Sequence, residues 1–191
     1  MERYPHLKQT DPEIYGLIQQ QADYESGTLK MIASENYASW SVLEACGSTL
    51  NNKYAEGYPG ARYYEGNEHV DKIENLAVER AKKLFGAEHA NVQPYSGSPA
   101  NQAVYQALLT VGDKLMGMPI ADGGHLTHGW KVNFSGINYV QIPYGPDSQT
   151  GKFDMDQIRE TALKERPKMI WVGATAYPHK IEYKDFRAIA D

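Results

Sequence analysis

With 191 residues, of which 41% are hydrophobic and 23% charged, the chain can bury one sizeable core and has the balance of a soluble globular protein. A net charge of −5 argues against general nucleic-acid binding, and no run is long or apolar enough to span a membrane. The lone Cys46 excludes an internal disulfide framework, and the stretch MERYPHLKQTDPEIY matches neither a secretory signal nor a transit peptide, so a cytoplasmic location is expected.

Asp11-Pro12-Glu13 predicts a helix start: a cap, a proline in the first turn and an acid at the positive helix end. Ile14, Leu17, Ile18 and Ala22 follow at helical spacing. Ser39 opens a second helix to about Leu50, and residues 54–67, YAEGYPGARYYEGN, hold no regular period. A third helix is expected over His69 to Phe85, with Ile73, Leu76, Ala77, Ala81 and Leu84 facing in. The chain then alternates. Strands are expected at Ala90–Gln93, Lys114–Met118, Tyr139–Tyr144 and Lys168–Val172, and helices at Ser98–Leu109, Asp154–Lys164 and Tyr183–Ala190. This alternation implies an α/β fold with a largely parallel sheet and helices on both faces. The first ~55 residues stand outside it as a helical arm. The last helix, DFRAIAD, reads as half of a crossover unit.

Three stretches carry chemistry. Ser96-Gly97-Ser98 is a small polar turn between strand and helix, where free backbone N–H groups and the helix dipole can cradle a phosphate. It equally reads as a serine cap with a turn glycine. Glu56, in a loop rich in glycine and tyrosine, could act as an acid or base, or stand as an ordinary exposed carboxylate. His125 and His128 flank Leu126-Thr127 in a glycine-bounded loop; without further ligands they are weak for zinc, and an imidazole there could stack on a flat ring, relay a proton, or be merely solvated. No metal is expected.

Four motifs in register, MIASEN (31–36), NKYAEGYPGARYYEG (52–66), ANVQPYSGSPAN (90–101) and DGGHLTHG (122–129), closely resemble serine hydroxymethyltransferase over essentially the whole chain. The resemblance implies an aspartate-aminotransferase-like large domain, incomplete here, that uses pyridoxal 5′-phosphate. It implies reversible one-carbon transfer from serine to tetrahydrofolate, giving glycine and 5,10-methylenetetrahydrofolate. Residues 1–55 would be the arm and dimerisation segment, and residues 56–191 the first half of the large domain. By motif, Ser96, Gly97 and Ser98 would seat the cofactor phosphate with Asn101 behind them. His125 would stack on its ring, and Thr175 in GATAYP would contact its ring oxygen. Ser34 would lie near the substrate carboxylate. Glu56 would be the acid–base carboxylate, joined by Tyr54 and Tyr64 across a homodimer interface. Ile120, Gly124 and Leu126 would line the folate site.

The family's Schiff-base lysine sits in a Thr-rich TTTTHKT-type motif that is not found among these residues. That lysine, the Asp that pairs the pyridinium nitrogen and the Arg that clamps the substrate carboxylate are expected beyond residue 191. Three readings follow: one piece of an enzyme completed by a C-terminal remainder, an inactive fragment acting as an association module, or a different enzyme of the same cofactor fold.

Overall fold

A computed structural model describes residues 4–191. The chain divides into two compact units, the first ending at Ser39 and the second running from Trp40 to Asp191.

In the first unit, α1 (Pro5–Thr10) and α2 (Pro12–Ser26) meet at Asp11, whose carboxylate accepts the Ile14 N–H at 3.0 Å. This is the cap predicted from Asp11-Pro12-Glu13; α1 before it carries its own leading proline, Pro5, and was not predicted. Tyr37 folds the following segment back by donating its hydroxyl to the Thr28 carbonyl at 3.0 Å. The apolar stripe Ile14, Leu17 and Ile18 is exposed within this unit.

The second unit begins with α3 (Trp40–Cys46), shorter than the predicted helix because the chain passes at Ser48 into a single 3₁₀ turn, Thr49–Asn52. Within the stretch read as irregular, β1 (Gly57–Tyr58) and β2 (Ala61–Arg62) form a two-residue antiparallel pair. Next comes α4 (Glu68–Phe85), with acids in its first turn, lysines in its last and Gly86 in the left-handed conformation that ends it. Its apolar period is as predicted, but its inward-facing role is not observed. Ile73, Leu76 and Leu84 are 47%, 50% and 78% exposed, because no described element covers that face. The strand expected at Ala90–Gln93 also does not form, since no strand among the described residues lies beside it to complete a ladder.

The sheet comprises β3 (Lys114–Gly117), β4 (Val140–Pro143) and β5 (Met169–Ile170), in the order β4-β3-β5 and all parallel. Leu115 pairs with Gln141 on one side and Met169 on the other. Each connection carries a helix: α6 (Phe134–Asn138) before β4, and α7 (Met155–Glu165) before β5. Asp154 caps α7 as predicted, accepting the Asp156 and Gln157 N–H groups. α8 (Tyr183–Ala190) follows β5. One face of the sheet packs Met116, Met118, Tyr144, Ile158, Ala162 and Phe186 into the core, with Ile142 and Ile170 alongside. Alternation along each strand sends the neighbours Leu115 and Trp171 to the other face. There Trp171 meets Tyr105 of α5 (Gly97–Leu108), which is fully buried. Helices therefore cover both faces, as the α/β reading predicts.

Phe186 joins α8 to the sheet, with ring contacts to Tyr144 and Phe153 at 5.3 and 5.7 Å. Phe186→Ala should lower stability by about 3–5 kcal/mol through loss of buried area and the cavity left behind. Equilibrium urea unfolding measures it, and a loss below about 1 kcal/mol would show that α8 is not held by this core.

Candidate active site

The site lies where β3 ends and the chain turns back over the C-terminal edge of the sheet, the end where open parallel sheets place their ligands. The turn is unusually close to the strand. A Cβ on Gly124 would fall 1.8 Å from the Met118 carbonyl oxygen, so only glycine fits. Gly129 closes the turn at φ 105°, where a side chain would also strike Gln141.

Between these glycines, Leu126–His128 form a 3₁₀ turn whose carbonyls are all claimed by groups outside it. The Leu126 carbonyl accepts the Gly129 N–H and, at 3.1 Å, the Trp130 N–H, with Ser135 Oγ 3.2 Å away, and Tyr105 Oη donates to the Thr127 carbonyl at 2.6 Å. Gln141 Nε2 donates to the His128 carbonyl at 2.6 Å. His128 is buried with its ring nearly parallel to Trp171, 5.9 Å between centroids. Burial, with the nearby His125, holds its pKa below the ordinary histidine value.

His125 precedes the turn and is half-buried. Its Nδ1 is 2.8 Å from Thr127 Oγ1, and Asn101 Nδ2 donates to that oxygen at 2.7 Å. Asn101 belongs to the second turn of α5, so this chain of contacts ties the imidazole to the helix that begins at Ser96-Gly97-Ser98. Ser96 is the N-cap of α5 but makes no side-chain capping bond, and a Cβ on Gly97 would meet open space. The helix start therefore leaves backbone N–H groups and hydroxyls open, the donors an anion seat would need. Asn101, predicted to stand behind the seat, spends its amide on Thr127.

Thr175 reaches the same loop, its N–H donating to the Gly123 carbonyl at 2.9 Å with the Ala176 N–H beside it at 3.0 Å. Gly124 is buried against the strand, while Ile120 and Leu126 present exposed side chains. The imidazole loop and the Thr175 segment thus meet, and Asn101 ties that loop to α5.

Glu56 sits elsewhere in this unit, exposed, with no side-chain partner among the described residues. Its backbone is nonetheless held firmly. The Arg62 guanidinium donates to the Ala55 and Gly57 carbonyls on either side of Glu56, at 2.7 and 3.0 Å. The same group pairs with Asp71 at 2.8 Å and Glu74 at 2.6 Å on α4. Asn67 Nδ2 donates to the carbonyls of Tyr64 and Tyr54, whose exposed rings lie 5.9 Å apart. Gln93 Nε2 bridges the Gly57 carbonyl to Glu74, joining this loop to the segment that leads to Ser96. Ser34 belongs to the first unit and is exposed there.

Among the described residues no three His, Cys, Asp or Glu side chains gather as a metal site, and no helix is long and apolar enough to cross a membrane. Thr127, Tyr105, Ser135, Gln141, Asn67 and Arg62 were not predicted as site residues. Thr127 and Arg62 do lie inside the motifs singled out, and Arg62 faces two acids three apart on the next helix.

A family model described as serine hydroxymethyltransferase matches residues 7–191. The chain belongs to the serine hydroxymethyltransferase family. It is 61% identical over 184 residues to serine hydroxymethyltransferase 2 of Mesorhizobium japonicum, covering 96% of this chain and 42% of that one. It is 54% identical over 185 residues to the serine hydroxymethyltransferase of Sorangium cellulosum, covering 97% of this chain and 44% of that one. The chain thus spans less than half the length of these curated relatives.

Two outcomes test this geometry. Gly124→Ala should cost about 3 kcal/mol or more, because backbone rather than a movable side chain opposes the new methyl; thermal unfolding measures it, and a neutral result would mean the loop does not lie so close. The Asp71 carboxyl is held below the ordinary carboxylate range, first by the Gly60 N–H and then by Arg62. Its lowered folded pKa makes this stabilisation complete above the unfolded value of about 4 and lost as pH falls through the folded value. Hydrogen exchange of the 55–63 amides, corrected for intrinsic rate, should show the loop opening as pH drops from 5 to 2, and Asp71→Asn should flatten that dependence. A wild-type loop indifferent to pH would contradict the link.

Proposed function

We propose that this chain forms the cofactor-seating part of a serine hydroxymethyltransferase, which transfers a one-carbon unit reversibly from serine to tetrahydrofolate to give glycine and 5,10-methylenetetrahydrofolate. One observation supports the reading: the 2.7 and 2.8 Å contacts from Asn101 through Thr127 to His125 tie an imidazole to the helix that begins at Ser96-Gly97-Ser98. That pairing suits a flat ring bearing a phosphate, as in pyridoxal 5′-phosphate. When bound, this cofactor supplies an electron sink for charge developing on the amino-acid substrate.

Each residue then has a task. Ser96, Gly97 and Ser98 hold the phosphate with N–H and hydroxyl donors, and Asn101 fixes the imidazole loop behind them. His125 lies against the ring and Thr175 donates to the ring oxygen. Ser34 approaches the substrate carboxylate. Glu56 moves the proton of the serine hydroxyl oxygen as the hydroxymethyl group leaves, with Tyr54 and Tyr64 beside it. In this reading the Glu56 loop serves a neighbouring subunit of a homodimer, so its distance from His125 within one chain is no obstacle. Ile120, Gly124 and Leu126 meet the folate. The fold is the first half of an aspartate-aminotransferase-like large domain, residues 56–191, with residues 1–55 as its dimerisation arm. The cofactor-tethering lysine belongs to the rest of the enzyme, whose setting is the cytoplasm.

A second reading, an association module without catalysis, draws on the uncovered apolar face of α4. Glu56→Gln in the complete protein separates the two. It should leave pyridoxal phosphate binding within about twofold while folate-dependent conversion of serine to glycine falls roughly 10²–10⁴-fold, the worth of a positioned acid–base group. Unchanged turnover would remove Glu56 from its role, and a wild-type protein with neither cofactor binding nor turnover would leave the association reading.

A further inference from the structure

The hydrogen bonds around His125 fix its chemical form as well as its place. The Thr127 backbone N–H lies 3.2 Å from Nδ1. A backbone N–H can only donate, so Nδ1 must meet it with a lone pair. The Thr127 hydroxyl, 2.8 Å from the same nitrogen, then also donates to it, and its oxygen is left to accept from Asn101 Nδ2 at 2.7 Å. Every donor in the series finds an acceptor. The opposite tautomer would set two N–H groups head to head. Thr127 cannot easily turn away, being fully buried with its carbonyl held by Tyr105 at 2.6 Å.

We infer that Thr127 is a positioning residue that holds the neutral His125 imidazole as its Nε2–H tautomer, so that the edge away from Thr127 offers a hydrogen-bond donor and no basic nitrogen. His128 follows the same rule by another route: the His125 N–H faces its Nδ1 at 3.4 Å. The tautomer stands on this geometry alone. Its meaning for catalysis rests on the proposed function: His125 can donate to an oxygen of cofactor or substrate, but from its free edge it cannot serve as a general base. The base must be another group.

The test is ¹⁵N-edited NMR of the complete protein, labelled at histidine and free of pyridoxal phosphate. The ring ¹⁵N shifts and the two-bond couplings from each ring nitrogen to the carbon-bound ring protons report which nitrogen carries the proton. Wild-type His125 should show Nε2–H, and an Nδ1–H pattern overturns the inference without any variant. Thr127→Val should shift the tautomer ratio about fivefold to tenfold toward Nδ1–H, the worth of one neutral hydrogen bond. Thr127→Ser should restore it, while His128 stays Nε2–H throughout. Thr127→Ala removes the same hydroxyl should valine prevent folding, and an unchanged ratio in either variant takes the role from Thr127. Because the measurement needs no cofactor, its failure is distinct from failure of the proposed function. A protein that binds pyridoxal phosphate but shows Nδ1–H refutes only the tautomer.

Discussion

The arrangement depends on one constraint: the chain leaving the central strand must reverse over the sheet without leaving buried backbone groups unpaired. In the tight turn made of Leu126, Thr127 and His128, the Leu126 carbonyl accepts the Gly129 and Trp130 N–H groups, but no local backbone donor satisfies those of Thr127 and His128. Tyr105 and Gln141 satisfy them from α5 and β4, while Ser135 of α6 accepts the Gly129 N–H beside the Leu126 carbonyl. An unpaired buried carbonyl costs about 1–3 kcal/mol, so these side chains leave the turn one good conformation. The sheet, α5 and α6 are thereby joined at one point, and His125 rides on it.

A second rigid centre works by charge rather than by burial of a turn. Arg62 is covered by its partners, with only 5% of its side chain accessible. It spends its fork on two carboxylates and two carbonyls. Five donors in a plane suit this task, whereas lysine could meet only part of it. The pairing raises the guanidinium pKa, chiefly through Glu74. The loop is held by its backbone on both sides of Glu56, yet Glu56 itself stays clear. Gln93 links this centre to the segment before Ser96, so the two centres are joined by polar contacts rather than by an apolar core.

Helices capped by a side chain or ended by glycine were legible in the sequence. Asp11, Asp154 and Gly86 announce their ends through local chemistry that needs no neighbour. Strands β3 to β5 were legible from their apolar runs, because the partners that complete their ladders lie in the same chain. Ala90–Gln93 was misread because the same composition makes a strand only with a ladder partner, and composition cannot supply one. The inward face of α4 failed likewise: its period was correct, but period does not say what lies opposite. Ser96, His125 and Thr175 were singled out through motif resemblance. Tyr105, Ser135 and Gln141 were not, since a buried hydroxyl or amide that clamps remote backbone has no local signature.

What joins the legible and illegible residues is a division of labour. Thr127, Asn101, Arg62 and Asn67 are consumed by internal contacts, and each holds backbone or ring rather than facing outward. Ser96, Gly97 and Glu56, by contrast, sit on fixed backbone with their polar groups unspent. A merely structural turn would show the reverse, with its serine turned inward to cap the helix. Keeping Ser96 from that bond forgoes about 1 kcal/mol of helix stability. That cost makes physical sense where another group, an anion, replaces the missing acceptor. The unspent cap and the spent Thr127 thus differ in kind: one leaves polar groups open at the helix start, the other is consumed in holding His125.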